Sequence, residues 1–244
     1  MLTYDCQYKE QRNNPSEKVG AFAEVVDRED GQYLIACIAV ASGPIAIGDA
    51  AINTCIHQFE NMSKDEMLYC PEFIKEYKAR VTAIIEQLNK TIFDAGQRLQ
   101  IHPLMSITAV AIDPNGQSSF CQIGNTIAVL CNEGKTFMAT QPMTTEKDFQ
   151  KAGIQTFPVD KNTVTALGIN HTTFPKFTKT VVNDKTSVFL LSSGFSIDLR
   201  RTIDVISKTQ AKAALPEILI KSISKSRGLA CADAVLSIHP SEKQ

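Results

Sequence analysis

Two serine–glycine steps are where this sequence holds side chains that could do chemistry. Ser42-Gly43 follows an apolar run rich in β-branched residues (residues 34–40, LIACIAV) that reads as a buried strand. Ser42-Gly43-Pro44 is a turn signal. After Gly48-Asp49, the residues Ala50, Ala51, Ile52, Cys55, Ile56 and Phe59 recur at the spacing of one helix face. Strand, tight turn and helix in succession let backbone amides and one side chain converge on a ligand. Ser193-Gly194 follows a second apolar run, residues 187–191 (SVFLL). Each serine has a hydroxyl that could be donated to a phosphate; the plainer alternative is a turn serine. Ser193-Gly194 lacks the Gly-x-Ser-x-Gly frame of a nucleophile elbow.

The remaining reactive side chains are dispersed. His57, His102, His171 and His239 have neither an i,i+4 partner nor a glutamate companion, so they read as loop or helix-surface residues. The seven cysteines form no C-x-x-C pair. That spacing argues against zinc and for reduced thiols, with Cys37, Cys55, Cys121 and Cys131 inside apolar segments. Glu17 and Asp49 could share one weakly held metal, although a place at a helix N-terminus accounts equally for the charge of Asp49.

Composition narrows the classes. The 244 residues are 43% apolar and 21% charged, with a net charge of −1. Such a chain buries a sizeable core and offers no basic surface for nucleic acid. No apolar run is long enough to span a bilayer, and the first residues lack the apolar stretch of a secretory signal. The expectation is a cytoplasmic protein with no membrane partner, folded as one unit over residues 1–244.

The elements that must position these residues follow from pattern. Residues 20–27 and 32–41 are strands joined by Arg28-Glu29-Asp30-Gly31, a hairpin signal. The helix after Gly48 ends near Asn61, and Ser63 with Glu66 fits a capping box for a short helix. Residues 71–100 carry apolar positions at helical spacing behind Pro71, a long helix that belongs to the core. Residues 105–113, 118–123, 127–131 and 136–139 read as a meander of antiparallel strands. Residues 144–152 suggest a short helix, and 164–167 and 178–182 weaker strands. Residues 198–208 and 211–226 are helical, and 234–238 is the last strand. Groups of strands alternate with groups of helices, which points to an α+β layered sandwich with antiparallel sheets.

The order of short motifs resembles the metal-dependent protein phosphatases of type 2C over nearly the whole chain. Arg12 to Glu17 has that family's Arg-x-x-Asn-Glu-Asp spacing. Ser42-Gly43 falls on its Asp-Gly turn, and residues 105–111 resemble its Gly-Thr-Thr-x-x-Val strand with Thr108 retained. Residues 123–130 with Gly134 resemble Val-Gly-Asp-Ser-Arg-Ala-Tyr-Leu-x-x-x-Gly. Residues 165–168 resemble Arg-Ala-Leu-Gly, and 189–195 (FLLSSGF) resemble Leu-Leu-x-Ser-Asp-Gly-Leu. Residues 230–237 resemble the closing Asp-Asn-x-Thr-Val-Ile-Val strand. The resemblance implies a four-layer α-β-β-α sandwich, two antiparallel sheets face to face with helices outside.

It also implies a site. In that family, carboxylates hold two divalent metals that bind phosphate and activate water. At the corresponding positions this chain has Glu17, Ser42, Gly43, Ser193 and Ala230, with Asn125 for the strand-end aspartate, so only Glu17 keeps a carboxylate. The implied state is a pseudophosphatase with no metal cofactor and no catalytic residue. Arg12, at the position of the family's phosphate-gripping arginine, is then the candidate phosphate-binding residue, and the partner is a protein or phosphorylated ligand. The alternative is an active serine/threonine phosphatase using Mn²⁺ or Mg²⁺ at a site rebuilt from Glu17, Asp49 and Asp233, or from an acid such as Asp184 or Asp198.

Overall fold

The computed structural model describes residues 3–11, 16–143, 165–209, 214–227 and 233–241, with backbone alone for residues 196–197 and 223–227. Two five-stranded sheets stack face to face. One has the order β2 (Glu17–Arg28), β3 (Gly31–Ser42), β4 (Leu104–Ile112), β5 (Gln117–Ile123), β8 (Lys176–Val181). The other has β1 (Tyr4–Gln11), β10 (Asp233–Pro240), β9 (Thr186–Leu191), β6 (Ile127–Asn132), β7 (Lys135–Met138). All neighbouring strands are antiparallel.

Helices α1 (Ile45–Lys64) and α2 (Phe73–Leu99) cover the outer face of the first sheet. Helix α3 (Ser193–Ile197) follows β9, and α4 (Leu199–Lys208) and α5 (Leu215–Arg227) cover the second sheet. The expected α+β sandwich of two helix-flanked antiparallel sheets is the observed architecture. Among the described residues, no helix is long and apolar enough to cross a membrane.

The period of two along each strand sorts its side chains between layers. Along β3, Leu34, Ala36, Ile38 and Val40 face the second sheet, where they join Ala128, Leu130, Val188 and Leu190. The alternate residues Ile35, Cys37, Ala39 and Ala41 face α1 and α2, beside Phe59, Tyr77 and Leu88. Because both faces are covered, β3 reads as an unbroken apolar run. Each fully buried side chain such as Leu88 or Phe59 contributes about 1.5–3 kcal/mol. The four cysteines expected in apolar segments are all buried thiols.

Several sequence expectations shift. The two-residue connection Glu29-Asp30 closes the β2–β3 hairpin as expected, with Arg28 paired to Gly31. Helix α1 starts earlier than Gly48, because the carbonyl of Pro44 accepts from both Ile47 and Gly48 N–H at 3.0 Å and so begins the helical turn. Ser63 is not an N-cap. It lies in the last turn of α1 and bonds the Glu60 carbonyl, while Asp65 caps the following 3₁₀ turn (Glu66–Leu68) by accepting from Met67 N–H. The expected four-strand meander is broken in the middle. β4–β5 belongs to one sheet and β6–β7 to the other, so the chain crosses between layers at Gly124-Asn125-Thr126. The polar N-terminal segment supplies an edge strand, β1, that no alternation announced. The helix expected at 144–152 lies outside the described residues, as does Val164; of the strand expected at 164–167, Leu167 makes a single bridge to Met105.

Candidate functional site

At one end of the sandwich, strand ends from both sheets come together. β2 begins at Glu17, β3 ends at Ser42, and these two residues are directly paired. The Gly43 N–H extends the ladder by donating to the Ser16 carbonyl at 3.1 Å. Glu17 shares the face of Val19, and Ser42 that of Val40, so both turn toward the second sheet. β4 begins at Leu104 opposite Ser42 and puts Ser106 and Thr108 on the same inward face as Val110. In the other sheet β9 ends at Leu191, opposite both Ile127 and Val235, and Ser192 and Ser193 follow. Glu17, Ser42, Gly43 and Ser193 therefore lie at one end of the sandwich. Arg12 and Ala230 lie outside the described residues.

Two glycines are required by close packing. Gly43 has φ +133°, and a Cβ there would sit 3.2 Å from the Pro103 Cα. Gly124 has φ +91°, and a Cβ would fall 2.1 Å from the Ser106 hydroxyl and 2.9 Å from its Cα. That close approach lets the crossover reach the start of β4.

A network of neutral polar groups fills the base of this end. The Thr108 hydroxyl donates to Thr126 Oγ1 at 2.9 Å, both residues being fully buried. Gln122 Nε2 donates to the Thr126 carbonyl at 2.6 Å. Ser106 Oγ donates to Asn125 Oδ1 at 3.2 Å and accepts from Asn125 N–H at 3.4 Å. Ser192 Oγ accepts from Ala234 N–H at 2.9 Å, which ties the end of β9 to the start of β10. Met143 N–H donates to the Gly124 carbonyl at 3.1 Å, and Thr165 N–H to the Met143 carbonyl at 3.2 Å. These hydroxyls and amides hold the strand ends and crossover in place. Ser106, Gln122, Thr126 and Ser192 were not singled out from sequence. The available signal was Ser106 and Thr108 alternating with Ile107 and Ala109 in an otherwise apolar strand.

The acids proposed to rebuild a metal site are pulled apart. Asp49 forms an ion pair with Lys18 at 3.4 Å. Lys18 alternates with Glu17 along β2, so this pair sits on the helix side of the sheet. β10 begins at Asp233, but Asp233 pairs with Gln11 and shares the face of Val235, which packs against α4 and α5. Asp184 lies just before β9, at the far end of the sandwich. Only Glu17 of the proposed trio faces the gap between the sheets. The other carboxylate on that face near this end, Glu10, accepts a hydrogen bond from Tyr8 on edge strand β1. Ser193 opens the short helix α3 instead of standing in a turn. Among the described residues, no group of three or more His, Cys, Asp or Glu side chains is placed to hold a metal ion.

No protein-family model and no curated protein matches the sequence. Solved structures match the fold. A serine/threonine phosphatase from S. agalactiae superposes with a TM-score of 0.79 at 18% identity, covering 98% of this chain and 100% of that one. This is the type 2C phosphatase fold. The catalytic domain of the phosphatase PstP, solved with two manganese ions, has a TM-score of 0.74 at 18% identity, covering 99% and 100%. Stp1 from Staphylococcus aureus has a TM-score of 0.74 at 11% identity, covering 100% and 96%.

The donor set can be tested against the manganese pair that this fold carries in PstP. Hard divalent ions require several oxygen donors, mostly anionic ones. Here Ser42 and Ser193 offer neutral hydroxyls, Asn125 a neutral carboxamide already bonded to Ser106, and Glu17 one carboxylate. Among the described residues, Glu17 and Glu10 are the carboxylates on that face, too few to offset the mutual repulsion of two dications. The described residues do not fit a two-metal centre.

Proposed function

We propose that this chain is a catalytically inactive protein of the phosphatase fold, acting as one binding or regulatory module that recognises a phosphorylated protein or other phosphorylated ligand. What carries this is the pairing of Glu17 with Ser42 at the mouth of the gap, with Asp49 and Asp233 on outer faces. Among the described residues, the strand ends at this site bring together too few carboxylates for a pair of metals, which supports the reading. Arg12, next after the last residue of β1, is the proposed phosphate ligand, since a guanidinium grips a phosphate without metal. The place of action is the cytoplasm, with neither nucleic acid nor membrane as partner. The test is paired. Aryl phosphate hydrolysis with Mn²⁺ or Mg²⁺ stays at the buffer rate, and phosphopeptide binding measured by calorimetry is lost in Arg12→Ala. Binding indifferent to Arg12→Ala removes the phosphate-recognition role.

One observation favours a second function, a metal-dependent serine/threonine phosphatase with a rearranged site. A neighbour in fold, PstP, holds two manganese ions, and here Glu17 keeps a carboxylate facing the gap between the sheets. Chelator-sensitive hydrolysis in the same assay would establish that activity and end the first proposal.

A further inference from the structure

The far end of the first sheet carries a cleft that the phosphatase-like end does not use. Its volume is about 580 Å³, within the range of small-molecule sites. It opens between the first turns of α2, the β4–β5 turn and edge strand β8. β4 runs from Leu104 at the candidate functional site to Ile112 beside this cleft, so the two sites lie at opposite ends of the same strand.

Three lysines line it: Lys75 and Lys78 from α2, and Lys179 from β8. Against them stand two acids, Glu72 and Asp113, so the lining keeps a net positive charge. Glu72 is paired to Lys75 at 2.6 Å. Asp113 Oδ1 accepts from Asn115 N–H at 2.9 Å and Gln117 N–H at 2.8 Å, closing the turn. Lys78 and Lys179 differ. Among the described residues, neither has a carboxylate within ion-pair distance, and the Lys78 ammonium lies 5.2 Å from the centroid of the Phe177 ring. Desolvation, and secondly the neighbouring charge of Lys179, hold the Lys78 ammonium below its ordinary range. Two unneutralised ammonium groups in one cleft repel, and an anion bridging them removes that cost. The α2 N-terminus beside them has no side-chain cap, so its partial positive charge adds to the same field. Pro71 and Ile74 supply apolar wall.

We propose that this cleft binds a small phosphorylated molecule carrying a diphosphate, with Lys78 and Lys179 as its two cationic contacts. Half-buried Lys78 reaches the diphosphate from α2 and exposed Lys179 from β8. The site is distinct from the candidate functional site at the other end of the sandwich.

The test titrates the full chain with pyrophosphate and with ADP by calorimetry at low ionic strength. Saturable one-to-one binding is expected, weakened about tenfold or more by Lys179→Glu and largely kept by Lys179→Arg, the effect expected for one charge-assisted hydrogen bond. Lys179 is exposed, and an unchanged melting temperature in both variants shows that the fold is intact. No saturable heat with either probe overturns the proposal. So does binding unchanged by Lys179→Glu, or abolished by Arg12→Ala in its place.

Discussion

Removing the hydroxyl of Thr108 is the most informative perturbation of the polar network beneath the candidate site. Thr108 and Thr126 are both fully buried and bonded at 2.9 Å. Thr108→Val keeps the shape and strands the Thr126 hydroxyl inside a low-dielectric pocket. Such an orphaned polar group costs about 1–3 kcal/mol. For a chain of this size, about 2 kcal/mol lowers the melting temperature by about 4–8 °C. Thr126→Val should cost a similar amount for the same reason. The double variant removes both hydroxyls together and leaves no orphan, so it should cost less than the two singles combined, by about 1–2 kcal/mol of coupling. Urea unfolding of the four proteins measures this directly. Costs that add to within about 0.5 kcal/mol would refute the claim that the two hydroxyls act as one unit.

Other consequences are as specific. Gly124→Ala forces a Cβ into Ser106 at a positive φ, with an expected loss of about 2–5 kcal/mol in denaturant unfolding. The Asp65 carboxyl is held below its ordinary value of 3.8, first by its hydrogen bond from Arg80 and then by Met67 N–H. Its folded pKa is depressed, so its contribution to stability is complete above the ordinary value of 3.8 and is lost as pH falls from there through the folded pKa. The melting-temperature gap between wild type and Asp65→Asn should therefore close on acidification below pH 3.8. Cys37 and Cys121 are fully buried and their thiols are pushed up mainly by desolvation. Mass spectrometry after iodoacetamide at neutral pH should find both unmodified until the protein is unfolded.

Much of the fold was legible because both sheets have simple alternation or unbroken apolar runs. β3, β9 and the long helix α2 announced themselves through covered faces and helical spacing. β1 did not, because an edge strand needs only one buried face, and Tyr4 and Cys6 are all it contributes there. The crossover at Gly124 was invisible as such, since a strand leaving one sheet for the other looks locally like a hairpin. For the site, motif order named Glu17, Ser42, Gly43 and Ser193, and the strand pairings put them at one end. It could not tell which way a carboxylate points. The face on which Asp233 falls depends on where its ladder starts, and the side of Asp49 on how helix α1 packs against the sheet, both tertiary facts. Lys78 and Lys179 are about a hundred residues apart in sequence, and only the β5–β8 pairing brings them together.

The proposed inactivity turns on charge: among the described residues, too few anionic oxygens face the cleft to hold paired dications. It is tested most directly by anomalous scattering from crystals soaked in millimolar manganese. No manganese peak is expected between Glu17, Ser42 and Ser193, whereas Ser42→Asp/Ser193→Asp/Ala230→Asp should gain one. Two peaks a few ångströms apart in the unaltered protein, ringed by carboxylates, would contradict the account.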